Sequence, residues 1–224
     1  MRILCVSDHA DPLVYSPAVK ERFGDVELVI SAGDLPMSYL GFLASSLNKP
    51  ILFVFGNHNL QSYRRFHKSP ALTPGTIGFS AEHQHRYGAT YIDKKVIKRK
   101  GLLIAGLGGT LRYNDGENQY TEFEMTVRML MLVPKLLWNR LIRGRFLDIL
   151  VSHIPPSGIH DREDRAHRGF TGFLWFMRRF RPRYLLHGHI HLYDLNERRV
   201  TRYFETDVIN VYDHYLLEIE ATDE

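Results

Sequence analysis

Short runs of apolar residues recur along the first half of the chain, and each stops at a polar, turn-prone cluster. Residues 2–6 end at Ser7-Asp8-His9, residues 26–30 at Ser31-Ala32-Gly33-Asp34, and residues 51–55 at Gly56-Asn57-His58-Asn59. Runs without polar alternation suit strands buried on both faces, as in a mostly parallel sheet covered by helices. Residues 17–23 and 36–47 between them have lengths and compositions suited to crossover helices, giving repeated β-α-β units. Residues 70–86, rich in Gly, Pro, Ser, Thr and His, read as loop. Strands are expected at 91–97 and 102–107, joined by a turn at Lys100-Gly101, with a glycine-rich surface loop over 106–116. Residues 121–142 read as a helix with a kink at Pro134. Two further buried runs follow, 147–152 ending at His153 and 184–186 ending at His187-Gly188-His189-Ile190-His191. The tail, 201–220, offers closing strands such as 211–219. With no internal repeat, linker or low-complexity tract, the expectation is one domain over 1–224.

Composition narrows the class but decides little. The chain is 44% hydrophobic and 24% charged, which argues against general disorder. Cys5, the one cysteine, sits inside an apolar run and reads as a small buried hydrophobe, as suits a reducing cytoplasm. The first strand begins at residue 2 with no signal-peptide hydrophobic region before it, so a cytoplasmic location is expected. No apolar stretch reaches the roughly 18 residues of a transmembrane segment. A formal charge of +4 fits anionic ligands and plain solvated surfaces alike.

The chemistry lies at the ends of the runs, where Asp8, Asp34, Asn57, His153, His189 and His191 stand. In open α/β sheets the carboxyl ends of strands gather at one edge, so distant positions converge on one cleft. A donor set of oxygens and imidazoles without thiolate suits Mn²⁺, Fe²⁺ or Zn²⁺ and suits Ca²⁺ poorly. Two carboxylates among neutral imidazoles leave a pair of divalent ions net positive, able to attract phosphate and acidify a water. Taken singly, each residue is more often a turn former, a cap or a satisfied polar group. Five strand ends sharing this chemistry outweigh that reading.

The ordered segments Ser7-Asp8, Gly33-Asp34, Gly56-Asn57-His58, Ser152-His153 and Gly188-His189-Ile190-His191 resemble the motifs of calcineurin-like metallophosphoesterases, in the family's order and over almost the whole chain. The resemblance implies an α/β fold, a four-layer α-β-β-α sandwich of two mixed sheets. It also implies two divalent metal ions, Mn²⁺ favoured over Fe²⁺ or Zn²⁺, and hydrolysis of phosphate monoesters or diesters by a metal-activated hydroxide. By motif position, Asp34 bridges the metals, Asn57, His153 and His189 complete one site, and Asp8 and His191 serve the other. His58 would lie beside the substrate phosphate, stabilising charge or protonating the leaving oxygen.

The sequence departs from the pattern twice. The first motif of the family is Asp-x-His, whereas here Ala10 stands two after Asp8; His9, Asp11 or water is left to fill the place. Asn59 replaces a usual acid after Gly-Asn-His, so an uncharged side chain would orient His58 and make it a weaker proton donor. The missing histidine also keeps a second reading open, that of a catalytically weak or inactive scaffold mediating protein interactions.

Other features weigh less. Residues 160–169 are dense in charge and could line the cleft, with Arg162, Arg165 or Arg168 gripping a phosphate; a solvated loop with internal ion pairs is as good a reading. Gly106-Leu107-Gly108-Gly109 lacks the full phosphate-loop or dinucleotide pattern. Aromatics and basic residues interleave over 175–184, but no specific nucleic-acid module is recognisable. Phe123, Val127, Leu130, Met131, Leu137, Trp138 and Leu141 recur at near-helical spacing among Arg and Lys. Such a stripe could lie on a membrane or a partner, but it is expected instead to pack onto its own domain.

Overall fold

The structure, a computed structural model, describes residues 1–67, 85–194 and 196–219. Its strands are β1 (Arg2–Ser7), β2 (Leu28–Ser31), β3 (Ile51–Phe53), β4 (His85–Arg86), β5 (Ala89–Tyr91), β6 (Val96–Arg99) and β7 (Leu102–Leu107). The two short strands β8 (Thr110–Leu111) and β9 (Gln119–Tyr120) follow, then β10 (Ile149–Ser152), β11 (Tyr184–His187), β12 (Val200–Tyr203), β13 (Thr206–Asn210) and β14 (Asp213–Glu218). Helices are α1 (Val19–Phe23), α2 (Met37–Leu47), α3 (Tyr63–His67), α4 (Glu122–Arg143) and α5 (Thr171–Phe180).

Two six-stranded sheets form, in the orders β14-β1-β2-β3-β5-β4 and β12-β13-β11-β10-β7-β6. Each is parallel at its centre and antiparallel at both edges. Period-2 alternation sorts every apolar run between two cores. Ile3, Cys5, Leu28, Ile30 and Leu52 of the first sheet meet Ile104, Ile149, Val151 and Leu186 of the second. Leu4, Val6, Val29, Ile51 and Phe53 point the other way, beneath Phe23 of α1 and Tyr39, Leu40 and Leu43 of α2. On the far side Leu103, Ala105, Leu150 and Leu185 are covered by Met125, Met129, Leu132 and Leu136 of α4 and Phe173, Phe176 and Phe180 of α5. The result is the expected α-β-β-α sandwich of two mixed sheets. A slip of one residue in β1 against β2, which pair Ile3 with Leu28 and Cys5 with Ile30, would exchange the contents of two cores. Burial in the inter-sheet core pushes the Cys5 thiol far above its usual range, so it acts as an apolar filler.

Several sequence expectations need correction. The strand expected at 91–97 is two strands in different sheets: Ile92 still bonds Phe53, Lys94 turns through φ 54°, and β6 begins in the second sheet. The break falls at Asp93-Lys94-Lys95, where Asp93 is buried against Arg128 at 2.6 Å. Residues 106–110 are buried, not a surface loop, because Gly109 donates to the Phe55 carbonyl at 2.9 Å and Gly108 to Asp93 at 2.8 Å. The loop read over 70–86 lies outside the described residues up to 84, and 85–86 form β4. Residues 175–184, read only as aromatics among cations, belong largely to helix α5, whose buried face is Phe173, Phe176, Met177 and Phe180.

Helix α4 forms as its ends dictate. Thr121 caps it reciprocally with Glu124, Gly144 closes it at φ 70°, and Pro134 lies within the continuous helix. Its buried face is Met125, Arg128, Met129, Leu132 and Leu136, whereas Phe123, Val127, Leu130, Met131, Leu137, Trp138 and Leu141 are exposed. The apolar stripe read as core-facing therefore points outward, because the helix is apolar on two opposite faces. Among the described residues no helix is long and apolar enough to cross a membrane.

Candidate metal centre

The strand ends do converge. Asp8 follows β1, Asp34 follows β2, Asn57 and His58 follow β3, His153 follows β10, and His189 and His191 follow β11. Asp8, Asp34 and His189 take left-handed backbone angles, φ 65°, 57° and 66°, a conformation that costs a residue with a Cβ about 1–2 kcal/mol and concentrates at functional sites. The turns are pinned to each other, with Asp8 N–H donating to the Gly33 carbonyl at 3.0 Å and Gly188 N–H to the His153 carbonyl at 2.9 Å. Two motif glycines are required by close approach. A Cβ on Gly56 would lie 2.2 Å from Asp34 Oδ1 and 2.4 Å from His153 Nε2, and one on Gly188 would lie 2.3 Å from Asp8 Oδ2.

At the centre stand Asp34, His153 and His189, all buried, each with a ligand-type atom within 4.8 Å of the others. His153 Nδ1 donates to the Ala32 carbonyl at 2.8 Å, and His189 Nε2 donates to the Ala166 carbonyl at 2.8 Å. Each donation fixes a tautomer and leaves the other ring nitrogen with a lone pair. Those two nitrogens, His153 Nε2 and His189 Nδ1, face one another at 3.2 Å, with Asp34 Oδ2 3.2 Å from His153. Two lone pairs and a carboxylate aimed at one point repel unless a cation, whether a proton on His153 or a metal ion, lies among them. The amide oxygen of Asn57 is also buried without a hydrogen-bond partner among the described residues, while its Nδ2 donates to Tyr113 Oη at 2.9 Å. This donor set fits a divalent metal.

Electrostatics point the same way. Burial opposes protonation of His153, yet the Asp34 charge and hydrogen bond and the Asp8 charge outweigh it, pushing the ring up to about 9. Burial would raise Asp34, but His153 and the His58 amide, 2.8 Å from Oδ1, hold it below the usual carboxylate range. Burial pushes Asp8 upward; His153 opposes this and the Asp34 charge reinforces it. His189 is lowered to about 3 by burial and then by His153, so it is a neutral imidazole. A site that draws a proton so strongly will draw another cation.

Asp8 and His191 lie alongside. Both Asp8 oxygens accept from His189 N–H, at 3.0 and 2.9 Å, and His191 Nε2 is 3.8 Å from Asp8 Oδ1. His191 is held by Tyr193 Oη at 3.0 Å from Nδ1 and by stacking on Tyr212 at 4.8 Å. His58 is exposed at the mouth, fixed through its backbone.

The residues considered for the place of Ala10 are otherwise engaged. His9 bonds Asp213 at 2.8 Å, and Asp11 accepts from Leu13 N–H at 2.8 Å and pairs with His214. Asn59 does not reach toward His58 in its hydrogen bonding; its Nδ2 donates to the Asp34 carbonyl at 2.7 Å and so steadies the Asp34 turn. The charged stretch after His153 does reach the centre: Ala166 supplies the carbonyl to His189, His167 packs on the His189 ring at 5.1 Å, and Arg162 donates to the His191 carbonyl at 3.0 Å.

Sequence reasoning missed the supports. Asn118, at φ 58°, donates its amide to the carbonyls of Phe55 and Gly56 at 3.0 and 2.6 Å and accepts from Tyr120 Oη at 2.8 Å. This clamp fixes the turn that carries Asn57 and His58. Behind Gly188, buried His187 bonds His160 at 2.9 Å, which bonds Thr201 at 2.8 Å. Burial depresses both rings, His160 to about 4, so the chain is neutral. Only the enrichment of His and Asn near turns hinted at these groups.

Comparison with known proteins agrees with the fold. The family model of calcineurin-like phosphoesterases matches residues 1–193. One solved crystal structure superposes with a TM-score of 0.61 at 14% identity, covering 95% of this chain and 90% of its own. The protein TT1561 of Thermus thermophilus superposes with a TM-score of 0.55 at 11% identity, covering 95% of this chain and 89% of its own. At such identities the likeness is one of fold. No curated protein matches the sequence.

Proposed function

The chain belongs to the calcineurin-like phosphoesterase family, and we propose that it is a metal-dependent hydrolase of phosphate monoesters or diesters with a dinuclear site. The observation that carries this reading is the pair of facing imidazole nitrogens on His153 and His189, 3.2 Å apart beside Asp34. Asn57, His153 and His189 would hold one cation, Asp8 and His191 would hold the other, and Asp34 would serve both. Mn²⁺ is the favoured ion, with Fe²⁺ or Zn²⁺ compatible with the same donors. Divalent ions held there supply positive charge that draws in a phosphate and acidifies a water to serve as nucleophile.

The chain's own residues do the rest. The carbonyls of Ala32 and Ala166 keep the two imidazoles oriented with their lone pairs inward. Asn118 and the bond from His58 N–H to Asp34 Oδ1 hold the His58 turn at the mouth, where the ring stabilises charge on the phosphoryl group or protonates the leaving oxygen. With His9 and Asp11 turned to Asp213 and His214, the Asp8 position has fewer protein ligands and binds its ion more weakly. That deficit is the one observation favouring the scaffold reading.

Metal content and hydrolysis of p-nitrophenyl phosphate and bis-p-nitrophenyl phosphate, with Mn²⁺ supplied, test the assignment in wild type, Asp34→Asn and His58→Ala. Two metals per chain, with turnover abolished in both variants, is the expected result. One metal with turnover would mean that the Asp8 half-site fills only with substrate or excess ion. No metal and no turnover across several ions would leave the scaffold.

A further inference from the structure

The outward face of α4 is apolar although the inward face already covers the second sheet. Phe123, Leu130, Met131, Trp138, Leu141 and Ile142 are all exposed, Phe123 and Leu141 at 76% and Trp138 at 57%. At 100° per residue these positions form one continuous stripe along the helix. No Asp or Glu occurs from residue 125 to residue 147 of the chain, whereas Lys135, Arg140, Arg143 and Arg145 do.

The stripe ends at a concentration of arginine. A cavity of about 520 Å³ at the C-terminal ends of α4 and α5 is lined by Arg140, Arg145, Arg178, Arg179, Arg181 and Phe146 among others. Among the described lining residues the carboxylate is Glu205, bound to Arg181 at 3.0 Å, and Arg145 is paired from outside the cavity with Asp148 at 2.9 Å. The arginine planes of Arg140 and Arg179 lie over Phe146, and that of Arg178 over exposed Phe204 at the tip between β12 and β13. Arg140, Arg178 and Arg179 stack on these rings, and aromatic and aliphatic groups beside such exposed cations are the make-up of a surface that enters the headgroup layer of an anionic bilayer.

A second copy of the chain fits less well. An antiparallel pairing of two α4 helices would set the arginine end against the acids of the first turn, and those acids are committed. Glu124 holds Arg112 at 2.9 Å and caps Thr121, and Glu122 accepts from the backbone N–H of Thr171 at 2.8 Å. The helix is also unable to span, so it lies along a membrane rather than through it.

We propose that the α4 stripe and the arginine cavity at its end form a docking surface for the face of a bilayer bearing anionic lipid headgroups. The first turn of α4 follows directly on β9 and on Asn118, which clamps the Gly56 turn, whereas the arginine cavity lies at the other end of the helix. Docking is independent of the phosphoesterase reading, since binding is measured without turnover.

The test is co-sedimentation of the full chain with vesicles of phosphatidylcholine alone and of equimolar phosphatidylcholine and phosphatidylglycerol, with sedimentation velocity run in parallel. Binding is expected to the mixed vesicles only, and to weaken as salt rises. Trp138→Glu/Leu141→Glu should abolish it, and Arg140→Ala/Arg178→Ala should weaken it about fivefold per arginine. Those side chains are exposed, and an unchanged urea midpoint separates lost docking from lost folding. Wild type left in the supernatant, or bound equally to both vesicles, overturns the proposal. So does a dimer that Trp138→Glu/Leu141→Glu converts to monomer, which would make a second copy the occupant.

Discussion

Asn118 offers the sharpest test of how the candidate centre is held. Asn118→Asp keeps the shape of the side chain and its tolerance of φ 58°, and replaces the amide donor with a carboxylate oxygen. Two acceptors lose their partner. The Phe55 carbonyl retains the Gly109 N–H at 2.9 Å, so its loss is a single net hydrogen bond, about 1 kcal/mol. The buried Gly56 carbonyl has only Asn118 Nδ2 at 2.6 Å among the described hydrogen bonds, so it is orphaned at about 1–3 kcal/mol. The new carboxylate then faces two carbonyl oxygens, and the total comes to about 3–4 kcal/mol or more. Urea unfolding read by linear extrapolation measures it, with Asn118→Gly as the companion that removes the donor without adding charge. Because the clamped turn carries Asn57 and His58, kcat on p-nitrophenyl phosphate should fall about 100-fold, the effect of roughly 1 Å of misplacement. A stability loss below about 0.5 kcal/mol in Asn118→Asp would refute the clamp, since no orphaned carbonyl could then exist.

Gly188→Ala should lower stability and remove one metal per chain, because the added Cβ would lie 1.9 Å from Ser7 Oγ and 2.3 Å from Asp8 Oδ2; metal content and thermal unfolding read both effects. Arg128→Met should cost about 3–5 kcal/mol by leaving Asp93 buried and unpaired, and Arg128→Met/Asp93→Asn should regain most of it because asparagine still accepts from Gly108 N–H; a double-mutant cycle in urea decides. In chelator-treated protein the raised ionisation of His153, from 6.5 to about 9, contributes stability that is complete below 6.5 and lost as pH rises through about 9. Urea midpoints across that range should fall in wild type and stay level in His153→Gln; equal slopes would place the titration elsewhere.

Local sequence went far toward the fold and the candidate site because both depend on patterns a linear chain carries. Short uninterrupted apolar runs bounded by turn residues suit strands covered on both faces, and runs that end in Asp, Asn or His at a parallel sheet's carboxyl edge bring those groups together. Asp34, His153 and His189 were legible for that reason, as were the glycines beside them. The apolar stripe of α4 was legible as a period but not as a direction. Periodicity places Trp138 and Leu141 on one side of a helix, yet only packing reveals that Met129, Leu132 and Leu136 on the other side had already claimed the sheet. The clamp of Asn118 on Gly56, sixty-two residues away in the chain, was likewise invisible, because an isolated Asn in a loop carries no signal of its partner. So too were the engagements of His9 and Asp11 with Asp213 and His214, contacts made only when β14 pairs with β1. Sequence determined which groups reach the sheet edge, since that follows from each strand by itself. Tertiary structure decided which of them face one another and which face of a two-sided helix meets solvent, since those outcomes depend on which distant surface is buried first.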